Sequence, residues 1–188
     1  MIIIGITGTI GAGKGTIVDY LIENYGFQHF SVRQFLAEEA ERRKLPLNRD
    51  SYVAVANDLR AKYAPSYIVD QLCIKAIEKG ENAIIESIRT PGEITSLRKY
   101  DNFYLLAVDA KPEIRYRRIV ERNSETDKIS YTTFLENEQR EMNSTDPNKQ
   151  NLSHCIAQAD FMLYNNGNLD ELYNTLQPQI NKIESLSK

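Results

Sequence analysis

Apolar residues in this chain fall into short unbroken runs separated by longer stretches of helical spacing. Residues 1–7 form a β-rich run closed by Gly8, after which Ile17, Val18, Leu21, Ile22 and Tyr25 recur at helical spacing until Gly26 stops the pattern. That predicts a strand, a glycine loop and a helix in succession. A second short strand is expected over 27–32, helical material over 34–44, and a break at Pro46. Tyr52, Val55, Ala56, Leu59 and Tyr63 stand at i, i+3, i+4, i+7 and i+11, one face of a helix that ends before Pro65, and another helix fits 67–79 before Gly80. Two or three helices therefore lie between the second and third strands.

The runs at 83–86 and 103–108 read as parallel strands covered on both faces. Helices are expected after each, near 93–100 and 112–122. A polar stretch at 123–130, a helix over 131–142, a second polar stretch at 143–151, a fifth strand over 161–164 and a closing helix over 169–183 complete the pattern. Strands alternating with helices imply a doubly wound α/β architecture, a five-stranded parallel sheet with helices on both faces. No repeat divides the chain, and no linker rich in Gly, Ser or Pro does so, which makes 1–188 a single expected domain.

Composition narrows the function classes. With 188 residues, 41% hydrophobic and 26% charged, the chain has globular proportions and length enough to bury roughly 70% of the surface its unfolded form exposes. A net charge of −3 lacks the positive excess of proteins that track nucleic-acid phosphates, so no nucleic-acid partner is expected. Cys73 and Cys155 stand far apart without a C-x-x-C pair, and His29 and His154 have no His or Cys at i+3 or i+4, which points to buried thiols and away from a zinc site. The apolar N-terminus stops at Gly5, too short for a signal peptide or a membrane span, so a cytoplasmic protein without membrane contact is expected.

The chemistry concentrates between the first strand and the first helix. Gly8-Thr9-Ile10-Gly11-Ala12-Gly13-Lys14-Gly15-Thr16 is a G-x-x-x-x-G-K loop in the strand–loop–helix context that such loops need. Glycines let backbone N–H groups turn toward phosphate oxygens, the helix N-terminus adds partial positive charge, and Lys14 adds a full one. Gly11, Ala12, Gly13, Lys14, Gly15 and Thr16 are thus candidate ligands of ATP. The general motif carries its Mg²⁺-binding hydroxyl directly after the lysine; here Gly15 stands there and the hydroxyl comes at Thr16. No Asp lies three residues before any of the nine glycines, and Asn148-Lys149-Gln150-Asn151 lacks the final Asp of a guanine reader, so a GTPase is not indicated.

The Gly13-Lys14-Gly15-Thr16 form resembles the adenylate-kinase-like nucleoside monophosphate kinases, in which Mg²⁺ is held largely through water by carboxylates. The resemblance covers nearly the whole chain. Glu86-Ser87-Ile88-Arg89 resembles that family's acid and downstream arginine, which contact magnesium waters and the acceptor phosphate. Ala159-Asp160-Phe161 and Asn165-Asn166-Gly167 are similar to the strand and adenine-side loop shared with dephospho-coenzyme A kinases. Val32-Arg33 and Ala56-Asn57-Asp58-Leu59-Arg60 resemble segments of a small group of kinases related to adenylate kinase. What this implies is a P-loop NTPase fold with acceptor-binding helices inserted within 33–80 and a lid within 123–151. It also implies ATP and Mg²⁺ as cofactors, adenine-side contacts by Asn166 and Gly167, and lid arginines at Arg118 and Arg122.

Phosphoryl transfer rests on positioning and charge neutralisation, so arginines and a metal-holding acid are the residues to seek. Glu86 closes a buried apolar strand, where an unpaired carboxylate is costly, and is with Thr16 the expected metal-site side chain. Arg89 follows at a strand C-terminus, where ligands bind in open α/β sheets, and Arg33 and Arg60 are expected to face the same crevice. Arg115, Arg118 and Arg122 share one helix face; a solvated face paired with Glu121 and Glu125 is the competing reading, evenly weighted for Arg115. Arg140 is a weaker candidate. The second strand ends without a carboxylate before Glu38, near where the similar dephospho-coenzyme A kinases carry an aspartate, which favours an acceptor that is already an anionic phosphate, with Glu86 the substitute base otherwise; the resemblance implies that Gln34 replaces a metal-water acid. The expectation is a kinase moving the γ-phosphoryl of MgATP to a nucleoside or deoxynucleoside monophosphate, with Lys14, Arg89, Arg118 and Arg122 catalytic and Arg33, Arg60 and Arg89 holding the acceptor. The alternatives are dephospho-coenzyme A kinase-like transfer to a ribose hydroxyl, or an ATP-binding module without catalysis. Monomer and homodimer are both left open.

Overall fold

The computed structural model describes residues 1–122 and 129–187. Its centre is an all-parallel five-stranded sheet in the order β2-β3-β1-β4-β5. The strands are β1 (Ile3–Gly8), β2 (Gln28–Ser31), β3 (Ala83–Glu86), β4 (Phe103–Asp109) and β5 (Phe161–Tyr164). Helix α1 (Lys14–Tyr25) joins β1 to β2, and α2 (Val32–Arg42), α3 (Arg49–Lys62) and α4 (Tyr67–Lys79) lie between β2 and β3. Helix α5 (Pro91–Leu97) precedes β4; α6 (Pro112–Arg122), α7 (Tyr131–Met142) and α8 (Leu152–Ala157) precede β5; α9 (Leu169–Leu186) closes the chain.

Both faces of the sheet are covered, which is why its strands read as continuous apolar runs. Ile3, Ile85 and Leu105 pack among Val32, Leu36, Leu59 and Leu72 from the helices on one side. Ile4, Ile6, Ile84 and Leu106 pack among Ile17 and Leu21 of α1 and Leu172, Leu176 and Ile180 of α9 on the other. Strand periodicity alone sorts neighbours such as Ile3 and Ile4 between the two layers. A third small cluster joins Ile10 of the glycine loop to Ile119 of α6 and Phe134 of α7.

Helices α2 and α5 begin two residues earlier than the sequence pattern predicts, and two further local features depart from it. The second strand stops at Ser31, one residue early, because the Ser31 hydroxyl accepts from the Gln34 N–H at 3.2 Å and caps α2, drawing Val32 into the helix. Helix α8 was not anticipated; capped by Asn151, it has too few residues for a helical period to register, and only Leu152 and Cys155 face inward. Of the lid region expected within 123–151, residues 123–128 lie outside the described residues. No described helix is long and apolar enough to cross a membrane.

Candidate active site

Strand β1 lies between β3 and β4, so its C-terminal end opens at the point where the chain's connections diverge to opposite sides of the sheet. The glycine loop sits there. Gly11 and Gly13 have φ of 77° and 105°, left-handed values that favour glycine. A side chain at Gly11 would strike the Arg115 backbone, and one at Gly13 the Asn165 amide. Gly13 is also the N-cap of α1 without any side-chain cap, so the helix presents its first N–H groups unshielded, as an anion site requires. The loop is anchored at its base: the Thr9 hydroxyl donates to Asp109 Oδ1 at 2.5 Å, and Asn165 Nδ2 donates to the Ala12 carbonyl at 2.9 Å.

Lys14 lies curled into this loop, donating from Nζ to the Gly8 and Thr9 carbonyls at 2.9 and 2.8 Å. Burial, then the positive field of Arg89, push its ammonium down to about 7. Glu86, across the register from both Ile6 and Ser31, accepts from the Ser31 hydroxyl at 3.2 Å and from that of Ser87; His29 Nε2 is 4.0 Å away. Ser87 holds a φ of 66°, a left-handed conformation that costs a non-glycine residue about 1–3 kcal/mol and turns its hydroxyl back onto Glu86.

One cavity of about 760 Å³ runs from the glycine loop to helices α2 and α3. It brings together Gly11, Gly13, Lys14, Gly15, Thr16, Arg33, Arg60, Glu86, Arg89, Arg118 and Arg122 of the expected site. Ala12 is buried, and neither it nor Asn166 or Gly167 is on the wall. Asn166 Oδ1 accepts from the Lys111 N–H at 2.8 Å, and Gly167 reaches the cavity only through Arg118, which donates to its carbonyl and, at 2.9 Å, to that of Asn165. Arg115 is a scaffold group: 2% exposed, it donates to Glu138 at 2.5 and 2.9 Å and to the Ile10 carbonyl, tying α6, α7 and the glycine loop together. Arg140 and Gln34 lie off the cavity wall, bonded to Asn137 and Glu38 respectively.

Arg60 is 2% exposed and donates to Glu93 Oε1 at 2.8 Å. The same carboxylate accepts from the Arg89 and Thr90 N–H groups at 2.7 and 3.0 Å, completing a capping box at the start of α5. Removing one partner of such a pair leaves a buried charge uncompensated, so Glu93→Ala is expected to cost about 3–5 kcal/mol of stability. Urea unfolding checks this, and a loss below about 1 kcal/mol would assign Glu93 no more than an ordinary capping role.

Sequence reasoning missed Arg49, Glu141 and Gln150, all on the cavity wall. Glu141, 3% exposed, accepts from Arg49 Nη2 and, at 2.5 Å, from Arg89 Nη1, which also donates to Gln150 at 3.0 Å. Burial raises the Glu141 carboxyl, but the two guanidinium groups outweigh it and hold the group below the ordinary glutamate value. The sequence signal of Arg49 and Glu141 is charge within the inserted segments; the neutral Gln150 has none.

Among the described residues no group of three or more His, Cys, Asp or Glu is arranged to hold a metal ion. The donor set fits an ion that arrives with the nucleotide, held by phosphate oxygens and water, with Glu86 and Thr16 the wall side chains that would hold it. Cys73 and Cys155 are free and buried, and burial pushes both thiols up to about 12.

An all-parallel sheet with a glycine–lysine loop opening on a cationic cavity defines a P-loop kinase-like α/β protein. The chain belongs to the AAA domain family, whose profile matches residues 4–144, and to the UPF0200 proteins. It is 31% identical to a UPF0200 protein of Methanococcus maripaludis over 186 residues, covering 97% of this chain and 98% of the relative. It is 32% identical to one of Methanothermobacter thermautotrophicus over 170 residues, covering 89% and 83%. Similar solved folds include TT1252 from Thermus thermophilus, with a TM-score of 0.63, 22% identity and coverage of 96% and 97%. A gluconokinase from Sinorhizobium meliloti has a TM-score of 0.60, 14% identity and coverage of 99% and 95%. Shikimate kinase from Bacteroides thetaiotaomicron has a TM-score of 0.58, 13% identity and coverage of 97% and 98%.

Proposed function

We propose that this protein transfers the γ-phosphoryl group of MgATP to the phosphate of a nucleoside monophosphate. One observation carries this reading: among the described residues, seven lysine or arginine side chains and three carboxylates line a single cavity, in a chain whose net charge is −3. Such an excess suits two anionic ligands side by side. The glycine loop and Lys14 would hold the β and γ phosphates, and Arg33, Arg60 and Arg89 would hold and orient the acceptor. Mg²⁺, when bound, supplies charge neutralisation on the phosphates. The chain's own residues do the rest, namely alignment of the two ligands and neutralisation of the charge that develops between them.

A hydroxyl acceptor is the second reading, favoured by Glu86. Its carboxylate accepts from Ser31 and Ser87 and would serve in this reading as the base for a hydroxyl proton. A panel of nucleoside monophosphates and of dephospho-coenzyme A, followed by phosphorus NMR of the product, separates the two. A new diphosphate linkage is expected; a phosphomonoester on a ribose hydroxyl would move the assignment to the second reading. ADP formation indifferent to every acceptor would leave a module that slowly hydrolyses ATP, and no ADP formation at all a non-catalytic one.

Glu86→Gln is expected to slow transfer by ~10²-fold or more and to flatten its Mg²⁺ dependence, because the amide keeps the shape and loses the charge. An unchanged Mg²⁺ titration curve would make Glu86 a structural partner of its two serines.

A further inference from the structure

Three guanidinium groups on the cavity wall are each held by a buried carboxylate and left with N–H groups that no atom of the described residues accepts from. Arg60 donates to Glu93, yet its Nη1 is buried without a partner. Arg49 donates from Nη2 to Glu141, and its Nε is likewise buried and unpartnered. Among the described residues Arg89 commits Nη1 alone of its guanidinium nitrogens, to Glu141 and Gln150. Buried donors on charged groups are rarely left unmet in native structures, so unmet ones lining a cavity mark where a ligand's oxygens belong.

The Arg49–Glu141–Arg89 cluster also lies in a telling place. Arg49 opens α3, Arg89 follows β3, and Glu141 comes from the last turn of α7, so one carboxylate fastens three elements. Arg89, Glu141 and Arg49 all act electrostatically on Lys14, which puts the cluster beside the loop expected to hold the transferred group.

We propose that Arg49 and Arg89 form a two-arginine seat for the anionic group of the acceptor, and that Glu141 is the positioning residue that aims both guanidiniums. This rests on the reading of the acceptor as a phosphate-bearing nucleotide, which assigned Arg89 alone of the three. The carboxylate takes one N–H from each arginine and neutralises one of the two charges, leaving a seat of net charge +1. A phosphate can accept the remaining N–H groups of both forks at once. Because Glu141 is anchored in α7, filling the seat also depends on where that helix stands.

The test fills the glycine loop with a non-hydrolysable ATP analogue and then titrates inorganic pyrophosphate or adenosine 5′-monophosphate by calorimetry. The wild-type complex is expected to bind pyrophosphate, Arg49→Ala to weaken it at least ~10-fold, and Arg49→Lys to recover part, with affinity for the analogue within about twofold throughout. Glu141→Gln is expected to weaken the same step, and Glu141→Asp to restore some of it. Equal pyrophosphate affinity in wild type and Arg49→Ala, or no binding by the folded wild-type complex, overturns the seat. Tighter binding by Glu141→Gln would make the carboxylate a blocking group and overturn its positioning role. Failure of the parent reading is visible separately: a phosphomonoester product excludes a phosphate as the reacting atom, while the seat is read from binding without turnover.

Discussion

Lys14→Met is expected to reduce phosphoryl transfer by at least ~10³-fold without loss of the fold, since a full charge aimed at the transferred group is worth no less than a single oxyanion-hole donor. The fold should survive because Lys14 does not hold it together: among the described residues its Nζ makes two hydrogen bonds, both to carbonyls of its own loop. The ammonium is lowered from 10.5 to about 7 by burial and by Arg89. Between those two values the unfolded chain binds more protons than the folded one, so Lys14 makes stability rise with pH across that window. The methionine variant is therefore expected to be at least as stable as wild type at pH 7 and to lose this part of the pH dependence of Tm. Nucleotide phosphates should restore the ammonium, so MgATP binding at pH 8 is expected to take up protons, visible as a binding enthalpy that varies with the ionisation enthalpy of the buffer. Wild-type turnover in folded Lys14→Met would remove Lys14 from the chemistry, and a buffer-independent enthalpy would remove the proton coupling.

Arg89→Ala carries the second large effect, a fall of ~100-fold or more in kcat/KM for the acceptor, the scale of a lost charge-assisted pair together with misorientation of the reacting groups. Arg89→Lys is expected to rescue only partly, because lysine keeps the charge and loses the planar fork. The lysine variant also answers the structural objection. Removing Arg89 outright leaves Glu141 with Arg49 as its remaining ion-pair partner, so part of the alanine effect could come from local rearrangement. Steady-state kinetics of both variants, with unfolding curves beside them, separate the two causes; a fall in activity that tracks stability and not acceptor KM or kcat would assign Arg89 to the scaffold.

The glycine loop was legible because it depends on backbone freedom at a few consecutive positions, and such positions cannot be met by other residues without strain. Glu86 was marked by a different signal, a carboxylate closing an apolar strand where an unpaired charge is costly. Arg115 was not legible. Its spacing put it on one helix face with Arg118 and Arg122 and left function and a solvated face evenly weighted for it; it is in neither place, buried against Glu138 while Arg118 joins the loop after β5. Helical spacing orders residues around one helix, but what stands opposite each of them is contributed by elements distant in the chain. Arg60 was expected at the acceptor crevice; it lies on the wall, and its Glu93 partner, 33 residues away, had no sequence signature beyond a capping box.

The sequence by itself determined the alternation of strands and helices, the parallel character of the sheet and the place of the glycine loop between β1 and α1, all of which follow from local periodicity and from glycine's access to left-handed backbone. Tertiary structure alone decided the strand order, the union of Arg49, Arg89 and Glu141 from α3, the β3–α5 loop and α7, and the separation of Arg115 from its neighbours on α6. Charges are paired through space by the desolvation cost of burying them, and which carboxylate meets which guanidinium is settled only when the helices that carry them have packed against the sheet.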